Sequence, residues 1–351
     1  MEIISFEGEE MQPTDADQGP VAALAGKIRE DKVLPIVGVC FTNDLTFTSH
    51  DSLVSGWAKR ASYPDAADKT NLSIARISQF ARYNEAGGAM REVAAVKKSY
   101  LDFLKDALVV VASRKNGVTE QAIKEVKAQK KTLTVSAAAD RFDLPSLSEP
   151  DANPLLLLAS LPLSIYLTTS YHRQLEAAIK QTRGVEAATE ICRWHPALHS
   201  IPSPFDSADY DPNQRPLVYH LHGCDDWPES LVLTVDDHLD FLAAISRDVS
   251  ADQSQKPAVH PRIKDALTLR SLAMIGYRPN DWDFRVLFRG LIKPSIKEGI
   301  EVSRVAIQLE RDESAKIYLQ RYLTQAAFDV IEEDPTQFIH ELFEKYAAEA
   351  N

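Results

Sequence analysis

Cysteine is scarce in this chain. Cys40, Cys192 and Cys224 are the only three in 351 residues, and no Cys-x-x-Cys pair exists. That spacing excludes a disulfide framework and a four-cysteine zinc module, and a reducing cytoplasm is the simplest home for such a chain. Long apolar runs are also missing. The longest, Leu155 to Leu163, is interrupted by Ser160 and Pro162, far short of the roughly 20 residues a membrane helix needs. A basic excess is absent as well. Lys and Arg number 39 against 51 Asp and Glu, a formal net charge of −12, which works against direct nucleic-acid binding by the chain as a whole. The lysines between Lys124 and Lys131 read as a solvated helix face. Residues 1–20 are acidic, with no basic region followed by an apolar core, so no secretion signal is expected. Residues 1–30 read as a mobile acidic leader and residues 31–351 as a single domain.

What is present is ordinary globular composition, 44% hydrophobic and 26% charged. Short apolar runs alternate with helical stripes. Val33–Gly38, Ser164–Thr168, Leu217–His222, Ser271–Gly276, Arg304–Leu309 and Phe328–Glu332 are candidate strands. Most lack strict polar alternation, as strands covered by helices on both faces do. Pro35 inside the first run argues for an edge position or a bulge. Between the runs, Phe284, Leu287, Phe288 and Leu291 form a helical stripe behind Asp281. Thr234 with Asp237 three residues on resembles a capping box, and Phe338, Ile339, Leu342, Phe343 and Tyr346 form a last stripe. The pattern predicts an α/β fold, Rossmann-like and doubly wound, with a mainly parallel sheet. Residues 51–150 break the alternation. Val93, Val96, Tyr100, Phe103 and Ala107 recur helically and Ala122–Lys131 forms a more polar helix. This block is a helical module inserted after the first strand, with Ala137–Pro154, rich in Asp, Ser and Pro, read as a loop.

Ligands of open α/β sheets sit beyond the carboxyl ends of the strands, so the residues ending each strand are the candidates for chemistry. Gly38, after the first strand, either lets backbone amides approach a phosphate or makes a plain turn. Thr168, Thr169 and Ser170, after the second, either hydrogen-bond a ribose or water, or cap the next helix through Ser170. After the third, period two puts His220 and His222 on one face with Cys224 nearby. Zinc suits such residues but no fourth ligand is evident, and a histidine followed by Gly223 is better placed as a general base. After the fourth, Gly276 opens the backbone, Arg278 suits a phosphate, and Asp281 is placed to cap a helix.

Three segments, TTSYHRQLE from Thr168, RPLVYHLHGCDDWPESLVLTVDDHLDFL from Arg215 and SLAMIGYRPNDWDFRVLFRGLI from Ser271, resemble the sirtuin-like domain family of bacterial effectors that deplete NAD⁺ in anti-phage defence. The resemblance runs from about Lys32 to Tyr346 and is most specific between Arg215 and Leu291. It implies a Rossmann-like sheet with an inserted helical module and NAD⁺ as substrate without a metal. It makes His222 the catalytic base, with Ser170 beside it. Gly38, Thr42, Thr169, Gly276, Arg278 and Asp281 are then cofactor-binding. It further implies a homo-oligomer or a separate sensor protein as partner. The chain departs from the family pattern at the site. Gly38-Val39-Cys40 stands for Gly-Ala-Gly, Ser170 for the asparagine that positions ribose and water, His172 for an aspartate, and Arg278 for a serine. Two readings follow: an NAD⁺ glycohydrolase, or a degenerate subunit that binds nucleotide or serves assembly. The missing Cys-x-x-Cys argues against a deacylase, and the missing Gly-x-Gly-x-x-Gly against a dehydrogenase.

Overall fold

The computed structural model describes residues 19–64, 72–84, 90–147, 153–250, 256–278, 282–297, 299–300, 302–308 and 313–350. Seven strands form one sheet: β1 (Val33–Val37), β2 (Ile165–Thr168), β3 (Ala188–Ile191), β4 (Leu217–His220), β5 (Ser271–Tyr277), β6 (Arg304–Gln308) and β7 (Asp329–Ile331). Their order is β3-β4-β2-β1-β5-β6-β7, and every pairing is parallel. The expected doubly wound α/β architecture is therefore present. β3 was not anticipated. Its sequence, ATEI, carries Thr189 and Glu190, and an edge strand with polar residues gives no continuous apolar run to read.

Pro35 lies in a central strand, contrary to the edge or bulge expected for it, paired with Ala273 of β5. The ladder explains the tolerance. Gly38 N donates to Ile275 O and Thr169 N to Val37 O, so odd-numbered residues of β1 turn their polar groups towards β2. The missing N–H of Pro35 thus points to β2, where pairing starts only at Ile36, and no ladder bond is lost.

Helices cover both faces. They are α1 (Gly19–Ile28), α2 (Val39–Thr46), α3 (His50–Arg60), α4 (Ile74–Tyr83), α5 (Val93–Ala112), α6 (Glu120–Ala128), α7 (Val135–Arg141), α8 (Pro154–Ser160), α9 (Gln174–Arg183), α10 (Val235–Ser250), α11 (Pro261–Leu269), α12 (Trp282–Leu287), α13 (Lys293–Ser295), α14 (Glu313–Thr324) and α15 (Pro335–Ala350). Alternate strand residues feed two cores. Leu34, Ile36, Leu167, Tyr219 and Met274 pack with Phe241 of α10 and Phe288. Val33, Val37, Tyr166, Val218 and Ile275 pack on the opposite face with Ile179 of α9 and Phe338 of α15. Each such side chain, fully buried, contributes about 1.5–3 kcal/mol. Gly19–Ile28, expected to end a mobile leader, instead form α1, because Val21, Leu24, Ala25 and Ile28 make an apolar stripe buried in the second core.

The helices α3 to α7 fall between β1 and β2 and enclose a third core built on Trp57, Tyr100, Leu104 and Phe142. Ser49, Ser73, Thr119 and Thr134 cap α3, α4, α6 and α7 through their hydroxyls. The segment read as a loop from Ala137 therefore starts as helix, with Thr134 supplying the start signal. The module is fastened to α10. Lys97 of α5 lies 3.2 Å from Asp237 with both side chains buried, and its Nζ donates to Glu229 O at 3.1 Å. Gln79 and Arg82 of α4 donate to Asp236 at 2.8 and 2.7 Å. Asp237 also closes the expected capping box, accepting from Thr234 N at 2.9 Å while its own N–H donates to the Thr234 hydroxyl at 3.1 Å.

Candidate functional site at the carboxyl edge of the sheet

The winding starts at β1, moves outward through β2, and returns to the other side of β1 at β5. The switch point between β1 and β5 is where such a sheet leaves a crevice. Gly38 and Gly276 meet there. A side chain on Gly38 would put its first carbon 2.5 Å from the Gly276 carbonyl oxygen. Gly276 itself has φ +74° at an irregularity of β5 and lies under Phe41 of α2, where an added carbon would come within 2.2 Å of Phe41 Cβ. Both positions require glycine for close backbone approach.

The neighbouring loops are stitched to this point. Val39 N donates to the Thr169 hydroxyl at 2.9 Å and Thr168 Oγ1 donates to Val37 O at 3.0 Å. Thr42, 2% exposed, donates its hydroxyl to Val39 O within its own helix. Ser170 N donates to Thr168 Oγ1 at 3.0 Å, and Asp225 N to Tyr171 O at 2.7 Å. The turns after β1, β2, β4 and β5 form one hydrogen-bonded edge. Ser170 leaves the helix-capping role open to it unfilled, since α9 begins after Arg173.

Ser170 is held on two sides. Its hydroxyl lies 2.9 Å from His172 Nδ1. Its carbonyl accepts from His220 Nδ1 at 2.8 Å, and His220 Nε2 donates to Glu176 Oε1 of α9 at 2.9 Å. Burial pushes the His172 imidazole down to about 3, with the charge of His220 adding to the effect, so it stays neutral. For His220, burial alone would lower the pKa, yet the Glu176 carboxylate and the Ser170 carbonyl lift it above its ordinary value. Glu176 answers in kind: burial would raise it, and the His220 charge and hydrogen bond hold it below the usual carboxylate range. Two buried histidines of opposite character thus flank one serine, His172 held neutral and His220 shifted towards its protonated form.

His220 and His222 do not share a face, a correction to the period-two expectation. β4 ends at His220, so alternation stops there. His220 points to α9, whereas the His222 ring packs edge-on against His238 and Phe241 of α10, each 5.4 Å away. His222 is fully buried. Gly223 follows with φ +85° and leaves no room for a side chain against Ser230 O. Cys224 is buried beside Asp225, whose carboxyl burial lifts to about 6, offset in part by hydrogen bonds from Ser136 N and Oγ. Among the described residues no group of three or more His, Cys, Asp and Glu is arranged to hold a metal.

Arg278 directly follows β5 and its guanidinium pairs with Asp51 in the first turn of α3. Asp281 lies outside the described residues. Sequence reasoning missed Glu176, whose one signal was an acid next to Leu175 on the inner face of α9, and Lys97, which reads as an ordinary helix-surface cation.

This arrangement defines a doubly wound, parallel α/β domain with its crevice at a glycine-lined switch point. Residues 164–331, from β2 through β7, match the family model of the SIR2-like domain. A comparison with curated proteins found no match. No helix among the described residues is long and apolar enough to cross a membrane.

Proposed function

We propose that this domain binds NAD⁺ at the carboxyl edge of the sheet and hydrolyses it to nicotinamide and ADP-ribose. The observation that carries the reading is the SIR2-like match over the segment that holds Ser170, His222 and Gly276, since SIR2-like domains bind NAD. Cleavage of the nicotinamide–ribose bond passes through an oxocarbenium-like state, as glycoside hydrolysis does. Water attacks the anomeric carbon, nicotinamide leaves with the bonding pair, and His222 takes the water proton. Ser170 and Thr169 orient the ribose and the water. Gly38, Thr42 and Gly276 let the backbone approach the nucleotide, and Arg278 meets the diphosphate. With Ser170 2% exposed and His222 at 0%, substrate access requires these loops to part, so turnover is gated by conformation. In a bacterial cytoplasm such an activity depletes NAD⁺ as an anti-phage effector, working as a homo-oligomer or beside a separate sensor.

A second reading has its own observations. The Ser170 hydroxyl is taken by His172 and the Arg278 guanidinium by Asp51, which suits a subunit that binds nucleotide or assembles without turnover. A fluorogenic NAD⁺ analogue and calorimetric titration with ADP-ribose separate the two. Hydrolysis lost in His222→Ala supports the hydrolase. Tight ADP-ribose binding without hydrolysis selects the second reading.

A further inference from the structure

We propose that Glu176 and His220 are positioning residues for the candidate site, a buried pair that clamps the Ser170 carbonyl and thereby fixes the turn after β2 for catalysis. This inference rests on the proposed function for its catalytic half and on geometry for the rest.

The pair is sealed from solvent. His220 is 0% and Glu176 5% exposed. Each imidazole nitrogen has one oxygen at hydrogen-bond distance, Ser170 O at 2.8 Å and Glu176 Oε1 at 2.9 Å. Both oxygens are acceptors only, a carbonyl and a carboxylate, so satisfying both requires a proton on each nitrogen. Glu176 Oε1 is itself fixed by the Thr189 hydroxyl of β3 at 2.8 Å. The clamp thus runs from the edge strand through α9 and β4 to the turn after β2. The titratable groups facing His220 are Glu176 of α9, the neutral His172 after β2, and Asp225 after β4, while Arg173, just ahead of α9, pairs with Glu176.

Stability alone gives weak reason for this pair. Desolvating two charges costs as much as their attraction returns, and an apolar pair of similar volume commonly does as well. Its location is the stronger argument. Among the described residues, the main-chain group it grips is the Ser170 carbonyl, and the Ser170 amide is also fixed by the Thr168 hydroxyl. A turn fixed at amide and carbonyl keeps its side chain at the position where ribose and water must be oriented, and misplacement by about 1 Å at such a site costs up to about 100-fold in rate.

The test uses the full chain, with histidine ring ¹⁵N spectra, the Ser170 carbonyl ¹³C shift, and NAD⁺ hydrolysis. His220 is assigned by its loss in His220→Gln. The expected result is a His220 ring protonated on both nitrogens at pH 8. In Glu176→Gln that ring becomes singly protonated, the Ser170 carbonyl signal moves, and kcat falls about tenfold or more with KM within about twofold. Thr189→Val, a milder change to the same carboxylate, gives a smaller shift in the same direction. A wild-type His220 with one bare nitrogen at neutral pH overturns the proposal, as does an unmoved Ser170 signal in Glu176→Gln. Absence of hydrolysis by the wild-type chain counts against the hydrolase reading instead, and the two spectra then decide the clamp by themselves.

Discussion

Gly38 and Gly276 face each other across the switch point, the Cβ position of one lying 2.5 Å from the carbonyl oxygen of the other. This contact lets the turn after β1 lie flat on the end of β5. It also explains why the edge needs two glycines far apart in sequence where a phosphate loop would need two close together.

Gly276→Ala is expected to lose about 2–4 kcal/mol of stability, from an added carbon against Phe41 and a left-handed backbone. Urea unfolding measures it. A loss below about 0.5 kcal/mol contradicts the packing described at this edge.

Lys97→Met leaves the Asp237 carboxylate buried without its cation, and should cost about 3–5 kcal/mol. Burial holds the Lys97 ammonium below its ordinary pKa, while Asp237 pulls it back up. Because Asp237 also caps α10, a double-mutant cycle with Asp237→Asn should return a coupling above about 1 kcal/mol. Additive effects would show that the helical module is not fastened through this pair.

The buried His172 gives an acid-sensitive term. Its pKa falls from 6.5 to about 3 on folding, so the unfolded chain binds a proton between these values that the folded chain does not. Stability must then drop as pH falls from about 6.5 to about 3. Asp225, raised from 3.8 to about 6, acts oppositely, contributing stability that is lost as pH rises across that range. The gap between wild type and His172→Gln should therefore widen in favour of the variant below about pH 6.5. Parallel stability curves would contradict a neutral, buried His172.

Much of this was legible in the sequence and some was not, for physical reasons. Six of the seven strands announce themselves as apolar runs because helices cover both faces. β3 does not, since an edge strand carries Glu190 and Thr189. The capping box at Thr234 and Asp237 is local chemistry and reads directly. The opposed faces of His220 and His222 do not, because periodicity cannot say that a strand stops at His220. Glu176 was hidden for a similar reason: a glutamate in an amphipathic helix reads as surface until a partner buried at position 220 is known.

The Arg278–Asp51 pair bears on ligand binding. If Arg278 meets the diphosphate of NAD⁺, Asp51 competes for it. Asp51→Asn should then tighten NAD⁺ binding several-fold, and Arg278→Ala should weaken it by about tenfold or more, as expected for a charge-assisted contact of about 1.5–3 kcal/mol. Calorimetry reads both. Unchanged affinity in the two variants removes Arg278 from the nucleotide site.

The central claim is that His222 serves NAD⁺ cleavage at this edge. The most direct measurement is nicotinamide release from NAD⁺ by the full chain and by His222→Ala, followed by chromatography under conditions in which both remain folded. The account predicts turnover by the first and a loss of at least about 100-fold in the second. Equal rates in the two, or release of nicotinamide by neither, would contradict it.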